Sequence, residues 1–467
     1  MTGRCLLLLS IHLCAPATVQ AQDTVQPAQT FTLAQALQYS IDHYPTVRAA
    51  LEQVNASAAN VSVARTAYLP RLDALWQTNR ATANNVFGQL LPQSTIPALS
   101  GPVLSSASSD SVWGTAVGGL LSWEPFDFGL RSATVAEAEA NVVRARAQET
   151  LTRLQVQNAV AGAFLSVVNA EQVVVAVDGD ATRRRTLARS AQTLADNQLR
   201  PGAEASRAAA ELAAAETRVI QARQALTIAQ ARLAQLLGAD ALVTASTTGL
   251  LDNPGEAPTP PAPNAAHPLL LSGRAAIDLA RARESVLDTV YRPRVYLQSS
   301  LFARGSGANP DGTFDGGADG LAPERMNWAA GVQVVFPNLF DFSSLKARRT
   351  AAGAATRAED ARYDEAALTV SAERRIAEAS VAAARAIARN TPVQLAAARQ
   401  SEAQARARYD AGLASIIEVA EAQNLLTQAE YQDAAARVDV WRALLLQAVA
   451  AGSLEPFIER LRGSGVK

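Results

Sequence analysis

His43-Tyr44-Pro45 followed by Tyr68-Leu69-Pro70-Arg71-Leu72 is answered later by Ala266-His267-Pro268 followed by Tyr291-Arg292-Pro293-Arg294-Val295. The spacing from Pro to Tyr is the same in both stretches. Two more landmarks recur in the same order. Trp123-Glu124-Pro125-Phe126-Asp127-Phe128 is matched by Pro337-Asn338-Leu339-Phe340-Asp341-Phe342. Pro201-Gly202-Ala203-Glu204-Ala205-Ser206 is matched by Ala411-Gly412-Leu413-Ala414-Ser415. One such match is within reach of chance, but three in order mean an internal duplication. The repeats span 22–252 and 268–453. A linker rich in Pro and small residues, 253–267, joins them, and a C-terminal tail, 454–467, follows.

Each repeat predicts helix, strand, strand, helix, helix. The first helix is expected at about 32–66, entered by a Thr32/Gln35 capping-box pattern, and at about 268–289 in the second repeat. Strands are expected at about 68–80 and 112–124, then at about 291–302 and 326–337. The evidence is alternation: Leu72, Ala74 and Trp76 share one parity, as do Trp113, Val117, Leu121 and Trp123. Val295 and Leu297, then Trp328, Val332, Val334 and Phe336, repeat the pattern. Each run has the length a tilted strand needs to cross a bilayer. Loops rich in Ser, Gly, Asn, Asp and Pro, about 81–110 and 303–324, separate the strands.

Very long helices come next, about 130–198 and 343–409. Between Arg131 and Gln198 there is no Pro, and the only Gly are Gly162 and Gly179. A segment of that length reaches about 100 Å. Pro392 is expected to kink or break the second one. Return helices are expected at about 203–238 and 413–451. Val219, Ala222, Leu226, Ala229, Leu233 and Leu236 step by threes and fours, a coiled-coil seam with small residues that permit close approach.

Composition narrows the function. The 467 residues carry 42 Lys+Arg against 43 Asp+Glu, a net charge of −1, which excludes a basic nucleic-acid binder. Apolar residues make up 49% but aromatics only 5%, which suits close-packed Ala-rich helices. Arg4, the run Leu6-Leu7-Leu8-Leu9 and the small-residue exit at Val19-Gln20-Ala21 read as a signal peptide, 1–21. A lipidated Cys14 is the rival reading, although His12-Leu13 lacks the small residue that such processing favours. Cleavage after Ala21 removes Cys5 and Cys14, leaving no cysteine for a disulfide, a zinc site or a nucleophile. No apolar run long enough for a transmembrane helix follows, so the chain is expected to be soluble or a β-barrel protein. His43 and His267 stand before Pro at helix entries and read as structural. Gly305-Ser306-Gly307 and Gly316-Gly317 read as turns. The run Arg183-Arg184-Arg185 reads as a solvated helix face, with a partner contact as the second reading. No cofactor and no enzymatic activity are expected.

Helices of about 100 Å form a bundle or a tube rather than a globule. Four strands cannot close a barrel, and open edges are not tolerated in lipid. Membrane strands here therefore require several copies sharing one barrel. Two copies with eight strands or three with twelve both satisfy closure.

The duplicated order, with Thr32-Leu33-Ala34-Gln35-Ala36-Leu37, Pro45, the Tyr68-Leu69-Pro70 strand entry, the Phe126-Asp127 and Phe340-Asp341 strand exits and the two Gly turns, resembles the TolC family of outer-membrane efflux proteins. The resemblance spans Phe31 to about Gly452. It implies a mostly α chain with a membrane β-barrel portion: a homotrimer whose four strands per chain make one twelve-stranded barrel in outer-membrane lipid. A coiled-coil helical tunnel would cross the periplasm. It further implies a passive exit duct for drugs, metal ions or secreted proteins, docked to a periplasmic adaptor and an inner-membrane transporter.

Site expectations follow from the same resemblance. Tyr409 takes the place of a gating tyrosine. Glu418 and Glu421, three apart on one helix face, would form stacked carboxylate rings around a threefold axis, giving a cation-sensitive periplasmic constriction. Their bland reading is two acidic residues suiting a helix start. Ala414 stands where the family carries a basic residue, which leaves a charge-paired latch without its cation. Pro201, Gly202, Ala203, Gly412, Leu413, Ala414 and Ser415 are the expected adaptor-docking tips. Trp76, Trp113, Trp123 and Trp328 are the expected aromatic girdle, with Trp123 almost as well explained by packing against helices. The competing function is a secreted coiled-coil filament protein without channel activity, which leaves the four amphipathic strands unexplained.

Overall fold

The computed structural model describes residues 29–463 apart from 83, 85–90, 92, 97–108, 240–242, 247–249, 251–265, 310, 312, 315 and 338–339. The expected signal peptide, both cysteines and nearly all of the linker lie outside the described residues. In chain order the elements are β1 (Gln29–Phe31), α1 (Leu33–His43), α2 (Pro45–Thr66), β2 (Arg71–Thr82), β3 (Ser111–Phe126), α3 (Leu130–Asp196) and α4 (Gly202–Leu237). Then come β4 (Val243–Ala245), α5 (Pro268–Leu287), β5 (Arg294–Ser306), β6 (Arg325–Val335), α6 (Phe342–Asp410), α7 (Ile416–Ala451) and α8 (Glu455–Gly463).

The first helix opens on the Thr32/Gln35 capping box, with the Gln35 amide donating to Thr32 Oγ1 and the Thr32 amide to Gln35 Oε1. It is not continuous to residue 66. Tyr44 adopts φ −70°, ψ 125°, because the Pro45 ring disfavours a helical conformation in the residue before it. Pro45 itself suits the first position of α2. His43 closes α1 by bonding the Tyr39 carbonyl oxygen and stacking on the Tyr39 ring. His267 caps α5. Its Nδ1 accepts from the Leu269 amide, so Nε2 carries the proton that it donates to Val449 O.

Helices α3 and α6 run 67 and 69 residues. The expected break at Pro392 does not occur, and α6 continues through it. Beside it, the buried Thr391 hydroxyl donates to Asp433 of α7 at 3.0 Å, a tie next to the helix bond that proline cannot make. Helix α3 packs along α4, and α6 along α7. On the α4 seam Val219, Ala222 and Leu233 are buried, while Leu226, Ala229 and Leu236 are partly buried against the core.

The main core lies where α1, the middle of α3, the end of α4 and α7 meet the small parallel pair β1–β4. Trp441, Phe164, Leu165, Leu33, Leu37, Leu233 and Leu237 are fully buried there. The C-terminal segment expected as a tail is corrected. Leu454, Phe457 and Leu461 bury into this core, with Phe457 edge-on to Trp441. Each such side chain contributes about 1.5–3 kcal/mol, which holds α8 down. A second correction concerns α3. By length and composition it is apolar enough to cross a membrane, contrary to expectation. Its Val160, Ala161, Phe164, Leu165, Val167 and Val168 instead pack inside the protein.

Candidate functional site

Four antiparallel strands in the order β2-β3-β5-β6 form the sheet, so β3–β5 pairing joins the two repeats and β2 and β6 are open edges. The register sorts the side chains. Trp76, Val117, Ala303 and Met326 share one row, and Ala74, Gly119, Leu301 and Trp328 share another. Leu72, Leu121, Trp123, Leu297, Val332 and Val334 stand on the same face. That face is apolar and bare: Trp76 is 79% exposed, Trp328 78%, Met326 74% and Leu72 72%. The opposite face carries Arg71, Asp73, Gln77, Asn79, Gln298, Arg304, Arg325 and Gln333. One sheet thus has a greasy face and a polar face.

Of the four expected girdle tryptophans, two lie near strand ends and two nearer the middle. Trp113 lies near the loop end under the Arg80 guanidinium, 5.5 Å from its ring. Trp123 lies near the helix end and donates from Nε1 to Tyr68 O at 3.0 Å, tying β3 to the chain entering β2. Trp76 and Trp328 occupy the middle rows. At the helix end of the sheet Phe126, Phe128, Phe336, Phe340 and Phe342 are all exposed. Four of them belong to the repeated Phe-Asp-Phe.

Asp127 organises that corner. Its carboxylate accepts from the Gly129 and Arg131 amides and from the Arg131 guanidinium, which also donates to Ala67 O and Pro125 O and lies over the Tyr68 ring. Burial pushes the Asp127 carboxyl up, but these hydrogen bonds outweigh it and hold it below its ordinary range.

At the far end of the long helices, the two turns differ. Gly412 follows α6 in the left-handed region at φ 76°, and the Leu413 amide donates back to Arg408 O at 2.8 Å, a glycine helix stop. In the first turn the left-handed residue is Gln198, at φ 60°, and Gly202 is simply the first residue of α4. Leu199 and Leu413 project from the two turns, 70% and 72% exposed.

Tyr409 is buried among Leu187, Ala191, Ala208, Ala414, Ile416 and Val419, and so faces protein rather than open space in this chain. Its hydroxyl donates to Glu204 Oε2 at 3.5 Å. Arg200 lies over its ring, donates to its carbonyl and faces Glu204 at 3.7 Å. Arg200, from the other turn, thus contacts both Tyr409 and Glu204. Burial, then the Glu204 charge, push the Tyr409 phenol above its ordinary value.

Glu418 and Glu421 part company. Glu418 completes a capping box with Ser415 and faces Arg408 at 3.8 Å, which is the bland reading made concrete. Glu421 is exposed, with no ion-pair partner among the described residues.

The sequence matches the family described as "Outer membrane efflux protein" over residues 36–239 and 264–450. The chain belongs to that family. Solved structures agree on the fold. VceC of Vibrio cholerae is 18% identical, with a TM-score of 0.69 over 90% of this chain and 96% of that one. CmeC of Campylobacter jejuni is 16% identical, with a TM-score of 0.70 over 93% and 89%. The open-state MtrE channel of Neisseria gonorrhoeae is 17% identical, with a TM-score of 0.66 over 90% and 89%. No curated protein matches by sequence.

In this outer membrane efflux protein the arginine run is not a solvated face. Arg184 is 2% exposed. It pairs with Asp180, also buried, and with Glu211 of α4, and it donates to Asn424 of α7 at 2.6 Å. Arg218 of α4 reaches the same Asp180 at 3.0 Å. Arg183 pairs with Glu430 of α7, and only Arg185 keeps a surface pair, with Glu216. The network clamps the α3/α4 hairpin to α7. The spacing of Asp180 and Arg184, one helical turn, was its only signal in the sequence.

Proposed function

We propose that three copies of this chain pair β6 of one with β2 of the next into a twelve-stranded barrel in the outer membrane, with α2–α7 forming a periplasmic tunnel. The observation that carries this reading is the sheet itself. It has two unpaired edges and a predominantly apolar exposed face, and lipid tolerates such a sheet only when closed. The TolC-family resemblance favours three copies over two. The exposed phenylalanines at the helix end mark the periplasmic edge of the hydrocarbon.

The protein then serves as the passive exit duct of a tripartite efflux or type I secretion system, carrying small molecules or proteins outward. Leu199 and Leu413 make the two turns suitable docking points for a periplasmic adaptor, which in turn engages an inner-membrane transporter. Glu421, exposed one to two turns after the start of α7 and without an ion-pair partner among the described residues, supplies the negative charge of a cation-sensitive constriction. The test is outer-membrane fractionation, unheated against boiled gel migration, and planar-bilayer conductance. A heat-modifiable trimer with conducting pores supports the reading, and a soluble or filamentous product without conductance refutes it.

A further inference from the structure

We propose that Arg80 and Trp113 form a docking point, one per chain, for a phosphate-bearing lipid of the outer leaflet. The proposal rests on the duct reading, because that reading sets the apolar face of the sheet against lipid and the loop end of the strands outward. On β6 this face runs from Val334 to Met326, and Met326 shares its row with Trp76 and Val117. That is roughly 27 Å of strand, or about 20 Å of bilayer once tilted as barrel strands are. The next rows on the same face change character. Thr78 stands opposite Thr115, Arg80 opposite Trp113 and Thr82 opposite Ser111. Arg80 thereby stands at headgroup depth, just past the hydrocarbon.

The guanidinium is held in place. It lies over the Trp113 ring at 5.5 Å, and its Nε donates to Ser111 Oγ at 2.9 Å. Arg80 and Ser111 are both exposed. These contacts orient the fork while using one of its five N–H donors. No carboxylate among the described residues pairs with Arg80. A guanidinium fork matches phosphate oxygens through two parallel hydrogen bonds. An indole at the same level suits the boundary between headgroups and chains. A free phosphate would engage the fork alone. A lipid engages both parts of the surface, with its headgroup on Arg80 and its acyl chains along Trp76, Val117 and Met326. Charge and the adjoining apolar rows together therefore select a lipid as the occupant.

The test uses purified full-length trimers in a phosphate-free maltoside detergent. They are titrated with diphosphoryl lipid A or with the same lipid stripped of its phosphates, and native mass spectrometry counts the lipids retained. Up to three diphosphoryl lipids per trimer are expected. Retention should be about tenfold weaker for the stripped lipid and for Arg80→Gln, the factor expected from losing charge-assisted hydrogen bonds. If Arg80→Gln fails to assemble, the comparison of the two lipids on the unsubstituted protein decides the matter by itself. Inorganic phosphate should not displace the lipid, and displacement at equal concentration would mark a free-anion site and overturn the lipid assignment. Conducting trimers that retain both lipids equally, or that retain the diphosphoryl lipid unchanged in Arg80→Gln, would overturn the docking point and leave the duct intact. Absence of conductance in the unsubstituted protein would remove the duct reading and the docking point with it.

Discussion

The phenol of Tyr409 at the end of α6 donates to the carboxylate of Glu204 at the start of α4, and Arg200 covers the ring of the same tyrosine. Two hairpins that lie far apart in sequence are thereby clipped at one end of the molecule. The clip is short-range and made of few groups, so single substitutions should release it.

Tyr409→Phe keeps the buried ring and deletes the hydrogen bond, at a cost of about 0.5–1.5 kcal/mol. Single-channel conductance should rise, and Glu204→Gln should act in the same direction. The pH dependence has a definite sign. A phenol whose pKa is raised on folding contributes stability below its unfolded value of about 10 and loses it as pH rises through the folded value. The Tyr409 contribution should therefore be intact at neutral pH and be lost in strong alkali, and a conductance titration across that range checks it.

Arg184 and Arg185 are neighbours with opposite fates. Arg184→Ala leaves the buried Asp180 with only Arg218, and breaking such a buried pair costs about 3–5 kcal/mol. Arg185→Ala removes one exposed pair and costs about 1 kcal/mol or less. Thermal stability of the two purified variants should separate them clearly.

The two turn glycines should also differ. Gly202 is helical and has nothing within 4 Å of a built Cβ, so Gly202→Ala should be stabilising by up to about 1 kcal/mol. Gly412 sits at φ 76°, and Gly412→Ala should cost about 1 kcal/mol through left-handed strain. Equal melting shifts would contradict the difference in backbone conformation.

Glu421→Ala should reduce block of the channel by divalent cations. Glu418→Ala should act chiefly by loosening the start of α7, through loss of its capping box, by about 1 kcal/mol. Block unchanged in Glu421→Ala would remove that carboxylate from the constriction.

Phe457→Ala should destabilise the protein by about 3–5 kcal/mol, because its ring fills the core against Trp441. Normal stability of that variant would mean that α8 does not hold the core together.

Period and punctuation made most of the architecture readable from the residues. Alternation in β2, β3, β5 and β6 places one apolar face, since side chains on a strand can only alternate. The proline-free stretches yield the long helices, and the recurrence of Tyr-x-Pro and Phe-Asp-Phe exposes the duplication. Local chemistry was legible where the partners are close in sequence, as in the Thr32/Gln35 box and the Gly412 stop. Even there, the break at Pro45 and the passage of α6 through Pro392 show one residue type acting in opposite ways according to its neighbours.

The contacts between distant segments were decided by tertiary structure. Whether an arginine run is solvated depends on what packs against it, and Arg184 meets α4 and α7 only after the hairpins align. Tyr409 turns inward because Glu204 and Arg200, some two hundred residues earlier in the chain, arrive beside it. A chain's own periodicity fixes which face of an element is apolar, but the identity of the surface that covers that face depends on packing in three dimensions, where separation along the sequence carries no weight.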